Sequence, residues 1–274
     1  MEIIVGKLGG FCAGVRNSVN KASMLLENKD KVYCLGELVH NERVIKDLED
    51  KGLIIVDSLD DVPNNSIVIF RAHGEGINSY KLAKEKNIEI VDLTCPKVKL
   101  IHEKIKNNND KYIVVIGKKS HPETIGHISY ANDGIVIESI SDIDNIKNNN
   151  KEIYIVVQTT FKEELFEEIV SNIKNNKVII DNTICNATHD RQEEVRNIAS
   201  LVDMMIIVGG KNSSNTKELS NIASDYCNTV LVQDKNDLND IELNYNKIGI
   251  MGGASTPKIV IDEIYEYIKE YNRK

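Results

Sequence analysis

Three cysteines stand at the same kind of place, each just after a short apolar run and just before a helical pattern. Cys12 ends "EIIVGKLGGFC", Cys95 ends "IEIVDLTC" and Cys185 ends "VIIDNTIC". None of the five cysteines forms a C-x-x-C pair, so a zinc knuckle or a thioredoxin-type motif has no local support. Brought together, three thiolates could hold zinc, a mononuclear iron or an iron–sulfur cluster. A [4Fe–4S] cluster ordinarily takes four cysteines, and with three it keeps one iron open as a Lewis acid; the donor set favours that option over zinc. Cys34 lies inside a strand pattern and Cys227 beside a helix end, without counterparts, and both read as structural.

A second set of polar residues recurs at glycine turns. In "VYCLGELVHNE", "YIVVIGKKSHPE" and "MIIVGGKNSSN" the strand ends at Gly36, Gly117 and Gly209. Four residues on stand His40, His121 and Ser213, and two beyond those stand Glu42, Glu123 and Asn215. A later turn in each unit carries His73, Thr159 with Thr160, or Ser255. With Ser214 these are short donors, partly at helix starts, and they suit a phosphate or diphosphate. Glu123 opens a helix after "SHP". In a closed cavity facing thiolates its pKa is expected to rise, which makes it a candidate general acid. Asn215 cannot titrate and reads as a binding group, and Glu42 ranks below Glu123. His102, His127 and His189 fall outside the matched turns and read as structural.

The elements that must position these residues repeat three times. Each unit runs strand, glycine turn, helix, second strand ("LIIVDS", "GIVIES", "TVLVQD"), acidic connector, third strand, helix and fourth strand. The third unit lacks its fourth strand at the C-terminal end, and "EIIVG" at the front has the missing form. The expected domains are therefore 13–94, 95–184, and 185–274 completed by 1–12. Short apolar strands alternating with helices call for an α/β fold of three similar small domains with parallel sheets. Functional residues gather beyond the carboxyl ends of such strands, so three domains facing a common centre would bring the three cysteines together. At 274 residues there is length for such units. The Asn- and Lys-rich stretches "NIKNNNKE" and "NIKNNK" read as solvated helix ends and turns. A net charge of -8 without a large basic cluster argues against nucleic-acid binding. No stretch approaches a membrane span and the N-terminus lacks a signal-peptide pattern, so a cytoplasmic location without membrane contact is expected.

Taken together, "GFCAGV", "LVHN", "FRAHG", "DLTCP", "SHPE", "QTT", "SSNT" and "GAST" resemble the reductase family of the methylerythritol phosphate isoprenoid pathway, in the same order from Met1 nearly to the C-terminus. The resemblance implies three α/β domains in pseudo-threefold arrangement around an oxygen-sensitive [4Fe–4S] cluster. Cys12, Cys95 and Cys185 would be its ligands, and its fourth iron would be open to substrate or water. His40, His73, His121, Ser213, Ser214, Asn215 and Ser255 match the diphosphate-binding groups, and Glu123 with Thr159 matches the proton path. The turns "SSNT" and "GGAST" vary a pattern often written SSNS and GASAP, and the matched residues survive the change.

The implied reaction is reductive dehydroxylation of 4-hydroxy-3-methylbut-2-enyl diphosphate to isopentenyl and dimethylallyl diphosphate. No flavin or nicotinamide fingerprint is present, so electrons are expected from a ferredoxin or flavodoxin; a monomer or weak homodimer is expected. A hydro-lyase on the same site would need no reductant. A cluster-based sensor would tolerate Glu123→Gln, and a zinc module would lack acid-labile sulfide.

Overall fold

The computed structural model describes residues 1–146, 151–174 and 177–272. Residues 147–150 and 175–176, within the two Asn- and Lys-rich stretches, lie outside the described residues. Strand β1 (Glu2–Val5) leads to helix α1 (Ala13–Leu26). Three runs of one pattern follow. The first is β2 (Val32–Leu35), α2 (Glu42–Glu49), β3 (Leu53–Val56), β4 (Ile67–Phe70), α3 (Ile77–Glu85), β5 (Glu89–Asp92) and α4 (Pro96–Asn107). The second is β6 (Tyr112–Ile116), α5 (Pro122–Ile128), β7 (Gly134–Ile137), β8 (Ile153–Val157), α6 (Glu163–Asn172), β9 (Val178–Ile180) and α7 (Asn186–Ala199). The third is β10 (Met204–Val208), α8 (Ser214–Ser224), β11 (Asn228–Val232), β12 (Lys247–Gly252) and α9 (Lys258–Tyr271). In each, a short 3-10 turn occupies the acidic connector, at Leu59–Asp61, Ile140–Asn145 and Lys235–Leu238.

The three sheets have one topology: β3-β2-β4-β5, β7-β6-β8-β9 and β11-β10-β12-β1, all parallel. The N-terminal strand takes the fourth-strand place in the last sheet, with Ile3 opposite Ile248 and Val5 opposite Ile250. Parallel strands covered on both faces need apolar side chains on both, and the central strands "YIVVI", "IYIVV" and "MMIIV" are buried throughout. In the third sheet Met204, Ile206 and Val208 face Val260, Ile264 and Ile268 of α9. The alternate residues Met205 and Ile207 face Val195 and Ile198 of α7 and Leu219 of α8. The helix after a fourth strand thus packs on the next sheet: Ile101 and Ile105 of α4 likewise lie on Ile113 and Val115 of β6.

The chain forms two compact units. One, of Met1–Arg16, Val39–Asp47 and Asn186–Lys274, contains the third sheet; the other, of Asn17–Leu38 and Leu48–Cys185, contains the first two. The segment Val39–Asp47 follows the first strand of the first sheet yet belongs to the unit of the third. Arg43 makes a paired contact with Glu263 at 2.8 and 3.0 Å, and Gln233 donates to Glu42 at 2.9 Å. Among the described residues no helix is long and apolar enough to cross a membrane.

Candidate functional site

Within the unit of the first two sheets, the acidic candidate Glu123 is buried and held by several donors. Pro122 opens α5 and His121 caps it, its Nδ1 accepting the Glu123 N–H at 3.2 Å. That bond leaves the proton of neutral His121 on Nε2, a donor. Glu123 is buried, 2 % exposed. Its Oε1 accepts the Thr159 N–H at 2.6 Å, its Oε2 meets the Thr159 hydroxyl at 2.9 Å, and His127 Nε2 lies 3.3 Å from Oε1. The rings of His73 and His121 meet edge to face, with centroids 5.5 Å apart.

The pKa of Glu123 is lowered, contrary to the expectation from sequence. Burial alone would raise it, but the hydrogen bond and electrostatic attraction of His127, the attraction of His121 and the Thr159 N–H together outweigh that. The reading of His127 as merely structural is corrected with it, since the ring touches the carboxyl. A signal was present, because Glu123 and His127 are four apart on one helix and share a face.

The cysteines occupy equivalent backbone positions. Cys12 donates its N–H to Ala254, Cys95 to Ala72 and Cys185 to Thr159, each at 3.0 Å. Each immediately precedes a helix, α1, α4 or α7, where a negative ligand is favoured. None of the three forms a disulfide among the described residues, and all are half-buried. Soft, undisulfided donors at helix starts fit a thiolate-bound metal group. The same ladder sharpens the alignment: Thr159 is the counterpart of Ala72 and Ala254, and Thr160, which receives Gln158 Nε2 at 3.0 Å, is the counterpart of His73 and Ser255. Thr159 therefore links Cys185 through its carbonyl to Glu123 through its N–H and hydroxyl. Cys34 is buried in β2, its thiol pushed up to about 12 by burial, and Cys227 leans on Ala223, so both are packing groups.

The unit of the third sheet gathers the other polar candidates. Ser213 caps α8, its hydroxyl accepting the Thr216 N–H at 3.2 Å, and Ser214 and Asn215 form the first turn. Ser255 donates to the backbone carbonyl of His40 at 3.2 Å. Gly210 is required there, since a Cβ would lie 2.3 Å from that carbonyl oxygen. Asn215 is 5 % exposed, and neither Oδ1 nor Nδ2 has a hydrogen-bond partner among the described residues. Native proteins rarely leave such an amide unsatisfied, so ordered water or a ligand is its natural partner. Glu42 is exposed and held by Gln233, which gives it a fastening role.

The fold defines a class: an α/β protein of three like parallel sheets, with its candidate groups at the strands' carboxyl ends. Residues 3–269 match the LytB protein family. A Clostridioides difficile (strain 630) relative named 4-hydroxy-3-methylbut-2-enyl diphosphate reductase is 38% identical over 277 residues, spanning 98% of this chain and 99% of the relative. The solved structure of E-1-hydroxy-2-methyl-but-2-enyl-4-diphosphate reductase from Plasmodium falciparum superposes with a TM-score of 0.93 at 31% identity, covering 97% of this chain and 87% of that one. A second solved structure, of (E)-4-hydroxy-3-methyl-but-2-enyl diphosphate reductase, the terminal enzyme of the non-mevalonate pathway, gives a TM-score of 0.71 at 35% identity, covering 98% of this chain and 100% of that one. The chain belongs to the LytB family and is an oxidoreductase of isoprenoid biosynthesis.

Proposed function

We propose that the chain reduces 4-hydroxy-3-methylbut-2-enyl diphosphate to isopentenyl and dimethylallyl diphosphate, in the cytoplasm, with electrons from a ferredoxin or flavodoxin. It would act as a monomer or weak homodimer, on a small diphosphate rather than on nucleic acid or a membrane. The chief support is the buried Glu123–Thr159 pair, joined through the Thr159 carbonyl to the N–H of Cys185. Cys12, Cys95 and Cys185 would hold a [4Fe–4S] cluster, on the strength of their equivalent places in the three repeats. When bound, that cluster supplies single electrons and one Lewis-acidic iron without a protein ligand. We take 13–94, 95–184, and 185–274 with 1–12 as the three repeats in pseudo-threefold arrangement about it.

The residues of the chain do the rest. By the resemblance, Ser213, Ser214, Asn215, Ser255 and His40, with His73 and His121, would take the diphosphate, Asn215 through its amide. Binding energy from that remote group orients the reacting carbon. Glu123 and the Thr159 hydroxyl would hold the proton that leaves with the hydroxyl as water. Two electrons enter, the carbon–oxygen bond breaks, and a second proton at either end of the allyl unit gives the two products.

Glu123 starts from a lowered pKa. An arriving diphosphate adds negative charge and raises it, so proton uptake is coupled to substrate binding. Calorimetry of diphosphate binding in buffers of different ionisation heat should show net proton uptake, and its absence would remove this coupling. The decisive experiment is an anaerobic assay with a strong artificial reductant and the allylic diphosphate. Turnover that needs the reductant supports the proposal; conversion without it would mean a hydro-lyase. Stoichiometric zinc without acid-labile sulfide would overturn the cluster assignment.

A further inference from the structure

The donors around Glu123 are not shared evenly between its two oxygens. Oε1 faces the Thr159 N–H at 2.6 Å and His127 Nε2 at 3.3 Å, whereas Oε2 faces the Thr159 hydroxyl at 2.9 Å. A backbone N–H can only donate, so Oε1 is committed as an acceptor. A hydroxyl both donates and accepts, so only Oε2 has a partner that tolerates a proton there.

His127 lies one helical turn beyond Glu123 and is fully buried. Its ring stands edge-on to His102 with centroids 5.1 Å apart. His102 in turn stacks on Tyr130 at 4.3 Å, and the Tyr130 hydroxyl donates to the Glu75 carbonyl at 3.1 Å. This packing fixes the direction in which His127 points. Its Nδ1 is buried without a hydrogen-bond partner among the described residues. A proton on Nδ1 would be an orphaned buried donor, the costlier of the two defects. The neutral ring is therefore the Nε2–H tautomer, and it donates toward Oε1.

We propose that His127 is a positioning residue for the acid: with the Thr159 N–H it commits Oε1 as acceptor and so places the transferable proton on Oε2, beside the Thr159 hydroxyl. The inference rests on Glu123 being the proton source. It concerns which oxygen carries the proton, and it assigns His127 no contact with substrate.

The test uses the anaerobically purified holoenzyme, with iron and sulfide measured first. His127→Leu removes the donor; His127→Gln keeps an N–H. The expected result is a fall in kcat of about tenfold or more for His127→Leu with KM within about twofold, and recovery by His127→Gln to within about threefold of the parent. A readout independent of turnover is the infrared carbonyl stretch of Glu123 protonated in the holoenzyme with inorganic diphosphate bound, identified by its loss in Glu123→Gln. That band should shift in His127→Leu and stay in His127→Gln. Unchanged kcat with an unshifted band would overturn the proposal, and so would His127→Gln as slow as His127→Leu with an intact cluster. If His127→Leu does not fold, His127→Phe fills the slot with a donorless ring. Should the parent not reduce the allylic diphosphate, the functional reading falls, while the band still decides this one.

Discussion

Glu123 combines complete burial with three nearby donors, and that combination makes its chemistry separable from its structural role. Replacing it by Gln keeps the shape and the contact with Thr159 while removing the carboxyl that can release a proton. Glu123→Gln should retain bound iron and diphosphate affinity but lose turnover by about a hundred- to ten-thousand-fold, read in an anaerobic steady-state assay. A silent substitution would instead favour a sensor. His102, behind His127, has its pKa lowered to about 3 from 6.5, mainly by burial and then by the neighbouring His127. A depressed histidine resists protonation when folded but takes up a proton when unfolded, so stability falls as pH drops from 6.5 toward 3. At about pH 5 the loss is about 2 kcal/mol. His102→Phe should flatten that acid limb in urea unfolding followed against pH. An unaltered limb would mean that His102 is protonated in the folded protein.

Two elements lie apart in sequence from the sheet that they serve. Strand β1 completes the third sheet beside β12, and the turn after it is fastened by Glu194, which accepts the N–H groups of Lys7 and Leu8 at 2.7 and 2.9 Å. Arg191 donates to the Gly10 carbonyl at 2.9 Å, at a residue whose φ of 115° favours glycine. Removing Met1 to Gly10 should cost the third-sheet unit about 2–4 kcal/mol from lost apolar burial at Ile3, Ile4 and Val5. It should also abolish iron binding by displacing Cys12. Proteolysis of residues beyond Asn186 at lower temperature is the expected sign; an unchanged pattern would show that β1 is dispensable. The segment Val39–Asp47 is the second case. Gly210→Ala would push a methyl group into the His40 carbonyl, so KM for the diphosphate should rise about tenfold with kcat less affected. Equal losses in kcat and kcat/KM would show that this contact acts only in the transition state.

The chain as a whole carries a core under every sheet, and strands β6, β8 and β10 are buried from end to end. Its folding should therefore not depend on metal in the way of a small zinc domain. Chelation or air should abolish turnover while far-UV circular dichroism stays close to that of the holoprotein, and collapse of that signal would contradict this. Much of the architecture was legible in residue order. The apolar runs, the glycine turns and the acidic connectors recur at one spacing, and burial on both faces of a parallel sheet dictates such runs locally. The front strand was legible for the same reason, because the third unit lacks one in its own sequence. The positions of Cys12, Cys95 and Cys185 after fourth strands also followed from that period. Side-chain partners across elements did not. Sequence alone determined the three-sheet plan and the residues at its strand ends, since local pattern sets strand, turn and helix. Folding decided that the Thr159 N–H reaches Glu123, that the carboxyl is held low rather than raised, and that His40 travels with the third sheet. Those outcomes depend on donor geometry, burial and docking between residues distant in the chain, which no local pattern encodes.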